Sequence, residues 1–172
     1  MAAALQFRPD HKFSRVGDIT PEVLHRLGVR GLILDLDNTL TRWEEDRAAP
    51  AVPEWVGALK QAGIRLVILS NGLREKQETV SRALEVPIVR APLPKPFAAG
   101  FVKALEVIGL PREEVAMVGD IVMTDIWGAN RLGIRTMLVE PLSPRDFPGT
   151  KVWRALEVLF RLRRPCGRKP AP

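Results

Sequence analysis

Four short stretches of this chain carry side chains suited to chemistry. Asp35-Leu36-Asp37-Asn38-Thr39 supplies two carboxylates, and Gly119-Asp120 with Thr124-Asp125 supplies two more. Ser70-Asn71-Gly72 offers a hydroxyl and an amide, and Pro94-Lys95-Pro96 offers one ammonium. Residues two apart on an extended strand point the same way, so Asp35 and Asp37 share a side. Carboxylates forced together repel unless a cation or a shared proton lies between them. Taken alone, an Asp-x-Asp is a weak signal, because strand-end acids also cap turns. Asp125 alone could equally be a helix cap or a partner for Arg131. Four acids meeting at one rim are different: an oxygen-rich site of that kind suits Mg²⁺. The Ser70 hydroxyl and the Lys95 point charge are what the oxygens of a phosphoryl group require. A loop lysine is ordinarily solvated, but two flanking prolines stiffen the backbone of Lys95 and limit its reach.

Such residues act together only if the chain brings them together, and its pattern supplies the means. Apolar β-rich runs are predicted as strands over residues 31–36, 64–69, 115–119 and 134–139, with a short edge strand over 86–90 because Pro87 cannot donate. Between them, residues 53–62, 73–85, 96–108 and 123–132 read as helices, three of them closed by Gly63, Gly109 and Gly133. Strands alternating with helices imply a mostly parallel sheet with helices on both faces, an α/β three-layer sandwich. Ligands in such sheets bind beyond the carboxyl ends of the strands, near a topological switch point. All four polar stretches fall at or just after such strand ends.

Composition narrows the function classes. At 172 residues, 46% hydrophobic and 27% charged, the chain is one globular domain, not a disordered, collagen-like or coiled-coil chain. Its one cysteine, Cys166, excludes an internal disulfide and a cysteine-based zinc cage, and fits a reducing compartment such as the cytoplasm. No apolar run is long enough to span a bilayer, and the first residues do not read as a signal peptide. His11 and His25 lack partners at metal-ligand spacing and read as surface or packing residues. No glycine-rich Walker or dinucleotide pattern occurs, and no nucleic-acid partner is expected.

The net charge is +6, and the residues from Thr150 onward account for all of it. Within them Val152, Trp153, Leu156, Leu159, Phe160 and Arg163 follow helical spacing, which predicts a basic amphipathic helix over about 150–164. Such a helix either lies on an anionic membrane surface or packs its apolar stripe on the sheet. The expected domain is 1–165, with 166–172 a disordered tail.

In order and position, Asp35-Leu-Asp-Asn-Thr-Leu40, Ser70-Asn71, Lys95 and Gly119-Asp120-x-x-x-Thr124-Asp125 resemble the four motifs of the haloacid dehalogenase superfamily. Asp18-Ile-Thr-Pro21, the run Asp37 to Trp43 and the run Gly119 to Gly133 are similar to the YqeG-type phosphatases, which include phosphatidylglycerophosphate phosphatases. The resemblance implies a Rossmann-like fold and two-step phosphoryl transfer. Asp35 would be the nucleophile and Asp37 the acid and then the base. Asp35, the Asp37 backbone carbonyl and Asp120 would hold Mg²⁺ with Asp125 in support. Ser70, Asn71, Lys95 and Thr39 would bind phosphate.

Only the segment from Thr41 to Val52 separates the first motif from the next helix, too little for a cap domain. An open site suits a phosphate on a large carrier such as a lipid, with Trp43 on its rim. A second reading keeps the chemistry on a phosphoprotein or small ester. A third, a non-catalytic binding module, is disfavoured because every acid, Ser70 and Lys95 are retained.

Overall fold

The computed structural model describes residues 6–143. The basic helix expected at 150–164, the tail 166–172 and Cys166 lie outside the described residues. Five strands, β1 (His11–Phe13), β2 (Gly31–Leu34), β3 (Arg65–Ile68), β4 (Val115–Gly119) and β5 (Arg135–Val139), form one sheet in the order β1-β5-β4-β2-β3. Every pairing is parallel. The chain leaves β2 toward β3 on one side and returns to β4 on the other, so the switch point lies between β2 and β4. There Leu34 registers with both Ile68 and Val118.

Near-continuous apolar strands mean burial on both faces. On one face Leu32, Leu34, Ala116 and Val118 meet α1 (Pro21–Arg26), α2 (Val52–Gln61) and α3 (Arg74–Leu84) through Leu24, Trp55, Leu59, Val80 and Leu84. On the other, Ile33, Val67 and Met117 meet α4 (Ala98–Ile108) and α5 (Trp127–Asn130) through Phe101, Ala104 and Ala129. Phe101 is fully buried, and burying one such ring is worth about 1.5–3 kcal/mol. Gly128 is required beneath it, since a Cβ there would fall 2.7 Å from the Phe101 ring.

The structure departs from the sequence reading in four places. The edge strand β1, which pairs with β5, is too short and too mixed in polarity to announce itself. Helix α1 follows Thr20, whose hydroxyl accepts from the Val23 N–H as an N-cap. The strand expected over 86–90 reduces to one bridge, Ile68 to Ile88, since Pro87 contributes only a carbonyl. The helix expected over 123–132 is a π-helical turn, Val122–Ile126, running into α5. No inserted subdomain follows β2 or β3 among the described residues.

Candidate active site

The first segment of the site leaves β2. Asp35 N–H still donates to Val118 O at 2.9 Å, which holds Asp35 beside the end of β4. The chain then turns through Asn38, whose φ of 60° is left-handed and which is 2% exposed. Asparagine is among the few non-glycine residues that tolerate this region. Asn38 N–H donates to Thr41 O at 2.7 Å, and Asn38 O accepts from Leu142 N–H at 2.9 Å. The turn aims Asp35 inward and leaves Asp37 at the mouth, its side chain 22% exposed.

The second segment leaves β4. The π turn carries Asp125 back toward the strand: its Oδ2 accepts from the Ile121 N–H at 3.1 Å. Wider π turns recur at functional sites because they re-aim a side chain. Gly119 makes room, since a Cβ there would collide with the Asp125 carboxylate. Asp35, Asp120 and Asp125 are all buried and each brings an oxygen within 4.8 Å of the others. Arg131, the alternative partner for Asp125, lies instead over the Trp127 ring at 4.9 Å.

Two loops complete the crevice, and they are stitched to each other. Asn71 Nδ2 donates to Lys95 O at 3.0 Å, and Lys95 N–H donates to Asn71 Oδ1 at 2.7 Å. Ser70 Oγ accepts from the Gly72 N–H at 3.0 Å. Lys95 is no solvated loop residue: it is 4% exposed and precedes a cis peptide to Pro96. Its Nζ lies 2.5 Å from Asp35 Oδ1 and 2.7 Å from Asp125 Oδ1. Thr39 Oγ1 donates to Asp120 Oδ1 at 3.2 Å, so this hydroxyl orients a carboxylate.

Electrostatics follow from burial. Desolvation raises the Asp35 carboxyl well above the ordinary aspartate range; Lys95 opposes this, and Asp125, Asp120 and Asp37 add to it. Burial alone would depress the Lys95 ammonium, but Asp125 and Asp35 outweigh it and hold it above the ordinary lysine value. Three buried carboxylates against one buried ammonium leave negative charge uncompensated. The donors are all hard oxygens, and this set fits a divalent cation such as Mg²⁺. The Asp37 carboxylate is not one of the three.

Two buried residues near the site belong to none of the four sequence stretches. Lys76 and Gln77, at the start of α3, are 5% and 8% exposed. Lys76 Nζ reaches Asp37 Oδ1 at 2.8 Å. Gln77 Nε2 donates to Ser70 O at 3.1 Å and to Gly72 O at 2.8 Å, which anchors that loop. The signal was there in the spacing: Lys76, Val80 and Leu84 form one i, i+4 stripe, and a charged residue on a buried stripe needs a partner.

Carboxylates and a lysine gathered at the switch point of an open parallel sheet define a doubly wound α/β enzyme. A family model described as haloacid dehalogenase-like hydrolase matches residues 41–133. The chain is 35% identical over 160 residues to the "Probable phosphatase YqeG" of Bacillus subtilis (strain 168), covering 92% of each chain. It is 33% identical over 144 residues to "Phosphatidylglycerophosphate phosphatase 1, chloroplastic" of Chlamydomonas reinhardtii, covering 78% of this chain and 53% of that one. An Arabidopsis thaliana protein named "Phosphatidylglycerophosphate phosphatase 1, chloroplastic/mitochondrial" is 35% identical over 137 residues, covering 74% of this chain and 39% of that one. The chain thus spans about half or less of these two longer relatives. Among solved structures, CbbY from Rhodobacter sphaeroides in complex with phosphate shares the fold, with a TM-score of 0.55 at 16% identity over 70% of this chain and 91% of that one. The chain belongs to the haloacid dehalogenase-like hydrolases, and within them to the YqeG-type group.

Proposed function

We propose that this enzyme is a Mg²⁺-dependent phosphomonoesterase that removes the terminal phosphate of phosphatidylglycerophosphate through an aspartyl-phosphate on Asp35. The observation that carries the chemistry is the meeting of Asp35, Lys95, Asp120 and Asp125 in one crevice, with Asp37 near enough to act on the Asp35 charge. The Asp35 carboxylate attacks phosphorus, and the bond from phosphorus to the ester oxygen breaks. Asp37, at the mouth, gives that oxygen a proton. In the second step Asp37 takes a proton from water, whose oxygen attacks the acyl phosphate and frees inorganic phosphate and Asp35. Lys95 favours the anionic form of Asp35 and faces the phosphoryl oxygens, with Ser70 and Asn71 on the adjoining loop. Asp35, Asp120, Asp125 and the Asp37 carbonyl would hold Mg²⁺, which supplies positive charge against the phosphoryl oxygens.

The substrate reading rests on the rim. Leu73, Leu93 and Phe97 are 69%, 48% and 52% exposed, and all three lie on the two loops stitched by Asn71 and Lys95. A phosphate site flanked by loops that bear exposed apolar side chains suits an ester whose carrier is itself apolar. The names of the algal and plant relatives point the same way. We place the enzyme in the cytoplasm, at the inner face of the membrane, with the basic residues 151–169 as an electrostatic tether. No helix among the described residues is long and apolar enough to cross a membrane. The test is phosphate release from phosphatidylglycerophosphate in detergent against phosphoserine, a phosphoprotein and small sugar phosphates. A higher kcat/KM on any soluble ester would replace the lipid reading with the small-ester or phosphoprotein one.

A further inference from the structure

The Asp35 end of the crevice has its lysine in Lys95. A second buried lysine, Lys76, faces the other catalytic acid, from an element no site motif includes. A buried ammonium is costly unless compensated, and Lys76 is compensated on every side. Its Nζ donates to Arg42 O at 3.0 Å and to Trp43 O at 3.1 Å. Its charge faces Asp37 Oδ1 at 2.8 Å, as an ion pair and not as an aligned hydrogen bond. The Trp43 ring lies on it, 5.6 Å from the ammonium, within cation–π range. With its near neighbours fixed in this way, Lys76 is no second phosphate ligand. Its place is behind Asp37.

Asp37 is confined from two directions. Lys76 draws Oδ1 toward α3, while Oδ2 lies over Gly72, where any Cβ would collide with it. Gln77, the next residue of α3, fixes the Gly72 carbonyl and hence that second wall. The first turn of α3 thereby locks the carboxylate, the 42–43 backbone and the 70–72 loop into one arrangement.

We infer that Lys76 is the positioning residue of the proton-transfer step: it holds the Asp37 carboxylate at the mouth, where the ester oxygen departs. This rests on the reading of Asp37 as the acid and base. Proton donation matters in proportion to how poor the leaving group is. An alkoxide must be protonated as it leaves, whereas p-nitrophenolate leaves unaided. A misplaced acid is therefore felt on alkyl esters and hardly on that aryl ester, while a general loosening of the fold affects both alike.

The experiment compares kcat/KM, which reports the first phosphoryl transfer, for sn-glycerol 3-phosphate and p-nitrophenyl phosphate. The variants are Lys76→Met, Lys76→Gln and Asp37→Asn. Lys76→Gln keeps a donor for the Arg42 and Trp43 carbonyls but removes the charge facing Asp37, so it separates bracing from positioning should Lys76→Met not fold. The expected result is a loss of about 10²-fold on the alkyl ester for either Lys76 variant, at least about 10-fold larger than on the aryl ester. Equal losses on the two esters, or none, would overturn the proposal while Asp37→Asn remains selective for the alkyl ester. An Asp37→Asn variant without that selectivity would overturn the reading of Asp37, and this inference with it.

Discussion

Replacing Lys95 by methionine tests the electrostatic account of the crevice directly. Lys95 is the cation between two buried acids, at 2.5 Å from Asp35 and 2.7 Å from Asp125, with side-chain exposures of 2%, 9% and 0%. Methionine fills the same volume without the charge. Removing one partner of a buried ion pair costs about 3–5 kcal/mol, because the other charge is left unpaired. At roughly 2–4 °C per kcal/mol for a domain of this size, the melting temperature in EDTA should fall by on the order of 10 °C. Two dependences identify the cause. The penalty should shrink in millimolar Mg²⁺, which replaces the lost positive charge. It should also shrink as pH falls. Asp35 already has its folded-state pKa raised above the unfolded value, so the cost of ionising it in the fold sets in as pH rises above 3.8 and is complete at the folded value. Losing Lys95 raises Asp35 further, so the gap to wild type should narrow as pH falls toward the folded-state value of wild-type Asp35, which lies well above 3.8. Lys95's own contribution does not titrate below pH 8: its pKa is raised above 10.5, so it is present in full below that pH and lost only as pH climbs through the folded value. Thermal unfolding with and without Mg²⁺, followed from pH 8 downward, is the assay. A variant that melts within about 2 °C of wild type in EDTA at pH 8, where roughly 3 kcal/mol should be missing, would refute the account.

Asp35→Asn should leave the fold intact and reduce phosphate release below about 1% of wild type, since a neutral amide cannot attack phosphorus; a surviving rate above that assigns the nucleophile elsewhere. Turnover should stop in EDTA, and Asp120→Ala should shift the Mg²⁺ titration of activity to higher concentration, whereas an unchanged titration curve places the ion away from Asp120. Gly72→Ala should lower kcat on alkyl phosphates by about 10-fold or more, because its Cβ would push the Asp37 carboxylate out of place; full activity would mean that Asp37 moves freely. Changing Arg161, Arg163, Arg164 and Arg168 together to Gln should weaken co-sedimentation with anionic vesicles, as added salt should in wild type, with soluble-ester hydrolysis kept. Equal vesicle binding by both proteins would leave the tail without a membrane role.

The sequence was sufficient for the α/β class, for the strands that form β2 to β5, for the carboxylates and hydroxyl that follow β2, β3 and β4, and for the ammonium of Lys95 on the loop before α4. The reason is local: hydrophobic period, glycine stops and the polar residue that ends each strand are all written within a few positions of each other. What depends on distant pairing was not legible. Strand β1 holds only three residues, His11–Phe13, and exists because β5 offers it a parallel edge. The π turn at Val122–Ile126 has the composition of an ordinary helix, and only its setting beside β4 and Lys95 shows why Asp125 must bend back toward the strand. Lys76 makes the point most sharply. In the sequence its spacing with Val80 and Leu84 marks a lysine on a buried stripe, and nothing marks its partner. Its burial against Asp37, thirty-nine positions earlier, is decided by the packing of α3 on the sheet, and no local pattern records which acid a buried cation will meet.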